Sequence, residues 1–339
     1  MSTTDNQALP TQPSLMTSLM AGFDAVTNHL ELILFPIILD LFLWFGPHLR
    51  LKELVVEFTN QIGNLSGLDT PEVSNALQLN RELWLLVADR LNMFSALRAY
   101  PVGIPSLMAS RQPLEAPLVQ PVGWEVSSVE GAAVWWFILS VMGLVVGALF
   151  FVLVAQASLH GKIHWQIAIG QWPRSSLQVI LLTLFIGILI LAISIPGSCL
   201  ITALTLTGLP VSQISLLLFG AVALWVLFPF LFSAHGIFTY QHKMWTSVRQ
   251  GARVVRMTLP KTSLLFLSIV VISEGLDTLW RVPAENSWMS LIGVTGHAFV
   301  STSLLAASFI YYRDATRWVQ RLIQQSLMVE SKKLRERIT

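Results

Sequence analysis

Residues 132–155 read AAVWWFILSVMGLVVGALFFVLVA, 24 consecutive residues without Asp, Glu, Lys or Arg. At 1.5 Å per residue such a run crosses the roughly 30 Å hydrocarbon core of a bilayer. Backbone polar groups in lipid must be satisfied within the segment, so the run must be helical. Five more runs surround it: Leu30–Phe45, Leu177–Thr205, Val211–Phe238, Thr262–Leu279 and Trp288–Tyr312. The expected fold is therefore all-α, a polytopic membrane bundle of six transmembrane helices.

Composition agrees. Charged residues make up 12% of the 339, about half the share a water-facing surface needs, so much of the surface is expected to face lipid. A formal charge of +2 argues against a nucleic-acid partner. The lone cysteine, Cys199, lies within an apolar run and cannot form an internal disulfide. Residues 1–13 carry no Lys or Arg, so the first apolar run reads as a retained anchor rather than a cleaved signal.

Basic residues orient the bundle, because Lys and Arg in short loops stay in the cytoplasm. Lys162 and Arg174 follow the second run; Lys243, Arg249, Arg253, Arg256 and Lys261 follow the fourth. Arg313, Arg317, Arg321, Lys332, Lys333, Arg335 and Arg337 follow the sixth. With six spans all three segments share one side, which puts both termini in the cytoplasm.

The division that follows is a cytoplasmic amphipathic segment over 1–29, a first span over 30–46 and an extracytoplasmic segment over 47–131. A five-helix membrane bundle occupies 132–312, and a basic cytoplasmic helix 313–339. In the extracytoplasmic segment, Thr70-Pro71-Glu72 is a helix-start pattern, and an apolar stripe (Leu77, Leu83, Leu86, Val87, Leu91, Phe94) predicts a helix to about Leu97. Prolines 101, 105, 113, 117 and 121 then predict an extended strap, with Ile104, Leu107, Met108, Leu118 and Trp124 packed inward. Gly143 and Gly147 form a small-xxx-small pair suited to close helix approach. Pro36 and Pro196-Gly197 are expected to bend their spans, and Trp44, Trp135, Trp136, Trp280 and Trp288 to form an aromatic belt. Residues 243–259 read as an interfacial helix. One face carries Trp245, Val248, Ala252, Val255 and Leu259, and Arg249, Arg253 and Arg256 are available to anionic headgroups. The same pattern suits docking on a membrane protein partner.

Ionisable residues inside apolar spans are costly, and each is a candidate for function. Asp40, Glu274, Asp277 and His297, with Arg281 at the mouth, form an outer cluster. Glu274, Asp277 and Arg281 share one helical face by their spacing. Glu274 is the deepest acid of the fifth span and has no Arg four residues on, so it is expected to matter most. The cluster reads either as a ligand cavity or as hydrated carboxylates and an ion pair holding helices together. An inner cluster comprises Asp24, His29 and Glu31 facing His235. Two histidines at that depth do not supply paired haem ligands. His160 and His164 lack a third ligand at zinc spacing, so neither cofactor nor metal is expected.

The strings Pro36–Pro47 (PIILDLFLWFGP), Phe94–Met108 (FSALRAYPVGIPSLM) and Tyr311–Trp318 (YYRDATRW) resemble segments of a family of bacterial six-span membrane proteins without an assigned activity. The resemblance implies a bacterial cytoplasmic membrane. The residues themselves favour a non-enzymatic component that binds or passes a small molecule or lipid, or supports a membrane complex. The alternatives are an intramembrane hydrolase or transferase using Glu274 or Asp277 with His297, and a purely structural scaffold.

Overall fold

The computed structural model describes residues 12–65, 71–118, 120–206 and 212–338. The chain is all-α, 80% helical. Five helices are long and apolar enough to cross a membrane, or six if the bent pair over residues 15–45 counts as one span. This is the architecture of a multi-pass membrane protein.

Helix α1 (Leu15–Thr27) starts at Ser14, whose hydroxyl caps Thr17 N. The chain then turns by 88°, through a 3-10 turn at Leu30–Ile33, into α2 (Leu34–Phe45). Pro36 sits in the first turn of α2, where its missing N–H costs nothing, and the bend lies before it. Strand β1 (His48–Arg50) leads to α3 (Lys52–Leu65), which sequence patterning did not predict, and α4 (Pro71–Arg90). Thr70, the expected cap, lies outside the described residues. The expected helix to Leu97 ends at Arg90 instead, because Asn92 takes the Phe94 N–H and starts a separate 3-10 helix, Met93–Arg98. The strap follows, with α5 (Leu107–Arg111) inside it and β2 (Gly123–Glu125) pairing in parallel with β1.

The remaining helices are α6 (Val129–His160), α7 (Trp165–Leu206), α8 (Ser212–Leu227), α9 (His235–Tyr240), α10 (Met244–Met257), α11 (Leu259–Trp280) and α12 (Ser290–Ile338). A 3-10 turn at Phe228–Phe230 separates α8 from α9. Helix α7 carries Pro173 and Pro196 yet is one element. Likewise α12 has 49 residues, about 74 Å, so the expected sixth span and C-terminal helix are continuous.

The core forms where α6 and α12 meet the other elements. Phe150, Phe151, Leu153, Phe309 and Ile237 are buried there. By contrast, α8 and the second half of α7 bury few side chains against the rest of the protein, as lipid-facing helices would.

Four placements depart from sequence expectation. Helix α1 does not lie free on a surface: Ser18, Gly22 and Val26, four apart, face inward, and a Cβ on Gly22 would lie 2.6 Å from Ser303 O and Ala307 Cβ of α12. The Gly143/Gly147 face of α6 receives the 3-10 helix Met93–Arg98 and the start of the strap rather than another membrane helix. A side chain at Gly143 would collide with Leu97 O, and one at Gly147 would lie 2.8 Å from Gly103 Cα. Trp44 is fully buried rather than in a belt, with its indole N–H donating to Glu285 O at 3.0 Å. Within the strap, Ile104, Leu107 and Met108 are buried as expected, whereas Leu118 and Trp124 are exposed.

Two poles result. One carries residues 47–65, 71–118 and 120–131 and the turn 281–289, and is called the strap pole. The other, the basic pole, brings together the starts of α1, α7, α10 and α11. There Arg174 donates to Gln241 O at 3.1 Å and Lys261 to Pro13 O at 3.5 Å.

Candidate functional site

The outer candidates divide into three separate environments. Asp40 is fully buried in α2 and caps the first turn of α5. Its Oδ1 accepts from Ser106 Oγ and from Met108 N at 2.9 Å, and its Oδ2 from Leu107 N at 3.1 Å. Ser106 Oγ in turn accepts from Ala109 N at 2.9 Å, so its hydrogen is free for the carboxylate. A carboxylate fits here because the first N–H groups of a helix have no partner of their own and carry partial positive charge.

Asp277 and His297 form the second environment. His297 Nδ1 donates to Asp277 Oδ1 at 2.7 Å, and the two side chains are 4% and 9% exposed. His297 Nε2 is buried without a partner. Arg281 lies 3.8 Å from Asp277 Oδ2 and donates to Ser110 Oγ at 2.9 Å, which ties the end of α11 to the strap. Asp40 falls within electrostatic range of His297 but makes no hydrogen bond to it.

Glu274 is the third. It is exposed on α11, and its carboxylate takes no hydrogen bond from another described residue. The structure therefore pairs His297 with Asp277 and leaves Glu274 outside the cluster. Spacing put Glu274, Asp277 and Arg281 on one helical face but could not say which acid faced the neighbour, and only Asp277 does.

The strap is clamped to the turn 281–289. Arg90 donates to Glu285 Oε1 at 2.8 Å and Leu114 N to Glu285 Oε2 at 2.9 Å, while Arg111 donates to Pro283 O. Partial burial pushes the Glu285 carboxyl up. The Arg90 and Leu114 hydrogen bonds and the charges of Arg90 and Arg111 outweigh it, holding the group below the usual carboxylate range. Burial holds the His48 imidazole below its ordinary value, with Arg50 adding to the effect against its bond to Leu43 O.

Of the inner candidates only His29 and Glu31 meet. His29 bonds Glu31 at 3.1 Å and Gly161 O at 3.2 Å, and Asp24 is exposed. His235 lies elsewhere, boxed by Phe232, Phe309 and Tyr312 with ring centroids 4.7–5.6 Å away. Its Nε2 lies 2.8 Å from Ser308 Oγ. Among the described residues no group of three or more His, Cys, Asp or Glu side chains is placed to hold a metal ion.

His235 borders a cavity of about 450 Å³ that sequence reading did not anticipate. Its walls come from α6 (Phe151), α7 (Leu182, Ile186), the α8–α9 segment (Leu227 to His235), α11 (Phe266 to Ser273) and α12 (Ser301 to Ser308), with Tyr100 and Pro101 of the strap at one end. The walls are apolar apart from Tyr100, His235 and three serines: Ser273, Ser301 and Ser308. A signal existed in the sequence. His297, Ser301 and Ser308 recur at four and seven residues, one line down a helix. The partners that close the cavity come from distant segments, which no local spacing reveals.

At the basic pole, Val248, Gly251, Val254 and Val255 of α10 are buried against the protein's own Phe232 and its neighbours, so the apolar face is covered by the bundle. Trp245 and Leu259, expected on that face, are exposed. Arg249, Arg253 and Arg256 point outward, with Arg249 stacked over Trp245 at 5.2 Å.

No family model, curated protein or solved structure matches the chain.

Proposed function

We propose that the protein is a six-span component of a bacterial cytoplasmic membrane that binds or passes an amphiphile through the cavity between α6, α7, α11 and α12. The cavity carries this reading: about 450 Å³ of apolar space, walled by five membrane helices or helix pairs, with a few convergent polar groups. That is the usual form of a small-molecule site. A scaffold needs no such recess between its helices. Purifying the protein in native-lipid particles and identifying the co-purifying molecules by mass spectrometry tests it. A defined amphiphile that is lost on Leu304→Trp, which fills the cavity, is the expected result. Bulk lipid alone, unchanged by that substitution, would remove the reading.

The positive-inside rule supports a cytoplasmic basic pole, and with six spans both termini lie there. The bacterial assignment rests on the resemblance of residues 36–47, 94–108 and 311–318. Arg249, Arg253 and Arg256, exposed at that pole, are placed to meet anionic headgroups, each worth about 1 kcal/mol near a charged surface. Reporter fusions after Gln120 and Gly251 are expected to fall on opposite sides of the membrane.

A second reading, an intramembrane hydrolase or transferase, is favoured by one observation: the 2.7 Å Asp277–His297 hydrogen bond with Nε2 left free. An aspartate that orients a histidine in this way is the supporting half of a general-base pair. Its burial argues for a helix-joining role instead.

A further inference from the structure

Arg98 ends the 3-10 helix Met93–Arg98, and its guanidinium makes no hydrogen bond or ion pair with a described residue. The Tyr100 ring centroid lies 5.5 Å from the guanidinium carbon, within cation–π range. A ring face has no lone pair to offer N–H groups, so the five donors of the fork lack an acceptor among the described residues.

Arg98 lines a recess of about 650 Å³ between its own helix, the strap, α6 and α7. This recess is separate from the His235 cavity, and only Tyr100 borders both. Trp136, Ser140 and Leu144, four apart on α6, run down one wall for about 12 Å. Trp136 is exposed, as are Phe137 and Ile138 beside it and Leu181 and Leu184 on α7, so the recess adjoins side chains that face lipid. Packing gives its depth. Leu97 O meets Gly143, seven residues beyond Trp136 and therefore about 10 Å further into the bilayer.

A cation at that depth is costly unless an anion meets it, and no Asp or Glu is among the described residues of the lining. Ser140 and Tyr100 add hydroxyls that no described residue engages. The arginine fork matches the paired oxygens of a phosphate or carboxylate. A zwitterionic headgroup would set its ammonium near Arg98 with no carboxylate to receive it, whereas a headgroup of net negative charge leaves no such remainder. We propose that this recess holds a bilayer lipid of net negative headgroup charge. Its oxyanion accepts from Arg98, and its chains lie beside the exposed apolar side chains of α6 and α7. The site is at the opposite pole from Arg249, Arg253 and Arg256 and does not depend on what fills the His235 cavity. A free phosphate would offer the same oxygens, so the test separates the two sources.

The full chain is placed in phosphatidylcholine nanodiscs carrying a trace of one photoactivatable lipid, phosphatidylglycerol or phosphatidylcholine with the same diazirine chain. After photolysis, labelling of residues 91–100 and 136–144 is quantified by mass spectrometry. Phosphatidylglycerol is expected to label these segments about fivefold more, the equivalent of about 1 kcal/mol for one cation meeting an anionic headgroup. Arg98→Gln should bring the ratio down to about one, and if that variant does not fold, the wild-type ratio decides alone. Replacing Arg249, Arg253 and Arg256 together by Gln should leave the ratio at these segments unchanged. A wild-type ratio near one, or a ratio that follows the three distant arginines and not Arg98, would overturn the proposal. Inorganic phosphate, with ionic strength held by chloride, distinguishes the sources. A ratio that survives it supports a lipid, and a ratio that collapses makes the ligand a free oxyanion and overturns the lipid assignment. Leu304→Trp, in the His235 cavity, should not alter the ratio; a fall would tie the headgroup to that cavity's occupant and overturn a separate site.

Discussion

The carboxylate of Asp40 accepts the hydroxyl hydrogen of Ser106, 66 residues further along the chain, and thereby holds the start of α5 inside the helix bundle. A short helix with proline-rich flanks has little stability of its own, since nucleation fixes several residues for one hydrogen bond. Here a membrane helix supplies the cap. The strap consequently reaches the Gly143/Gly147 face of α6 and forms one end of the cavity.

Asp40→Ala leaves two backbone N–H groups and a serine hydroxyl buried without an acceptor. At 1–3 kcal/mol for an unsatisfied buried group, partly relieved by relaxation, we expect a loss of about 3 kcal/mol. Asp40→Asn keeps one acceptor oxygen and should lose about half as much. Thermal unfolding in a fixed detergent measures both. A neutral Asp40→Ala would show that the strap is held elsewhere.

Glycine substitutions separate contact from propensity. Gly143→Ala must push away the backbone of the 3-10 helix at Leu97, and Gly147→Ala that of the strap at Gly103, and each should cost about 1–3 kcal/mol. Gly170→Ala and Gly187→Ala, on α7 with open space where the methyl would go, should be neutral or stabilising by up to about 1 kcal/mol. Protease sensitivity of the strap should rise in the first pair alone.

The outer acids should respond unequally. Asp277→Ala strips a buried histidine of its partner and should destabilise by about 2 kcal/mol or more. Glu274→Gln and Glu274→Leu, at an exposed site, should stay within about 0.5 kcal/mol of wild type in stability. A Glu274→Leu variant that loses a cellular phenotype while folding normally would return Glu274 to the centre of the site as a contact for a partner.

Acid should loosen the strap pole in two stages. Both His48 and Glu285 have folded-state values below their unfolded ones, so each contributes stability above its unfolded value that is lost as pH falls. The His48 contribution should decline below about pH 6.5 and that of Glu285 below about pH 4.3, the ordinary values of these groups. Unfolding midpoints recorded against pH should show the lower stage vanish in Glu285→Gln and the upper in His48→Gln. A flat profile between pH 7 and 3 would contradict both assignments.

What the sequence determined by itself is the membrane class and where along the chain the apolar helices fall, though not their ends. These follow from hydropathy run length and backbone satisfaction in lipid, both local properties. Spacing put Glu274, Asp277 and Arg281 on a common helical face; the 3.8 Å contact between Asp277 and Arg281 reflects it, while Glu274 stays exposed and unpaired with them. The tertiary structure alone decided which acid met His297, that Gly143 and Gly147 receive a 3-10 helix and the strap rather than another membrane helix, and that the apolar face of α10 is covered by protein. It also decided that a cavity opens beside His235. A polar or small residue on a helix states only that something approaches it. What approaches is set by contacts between segments tens to hundreds of residues apart, as with Asp40 and Ser106, and these depend on how the whole bundle packs.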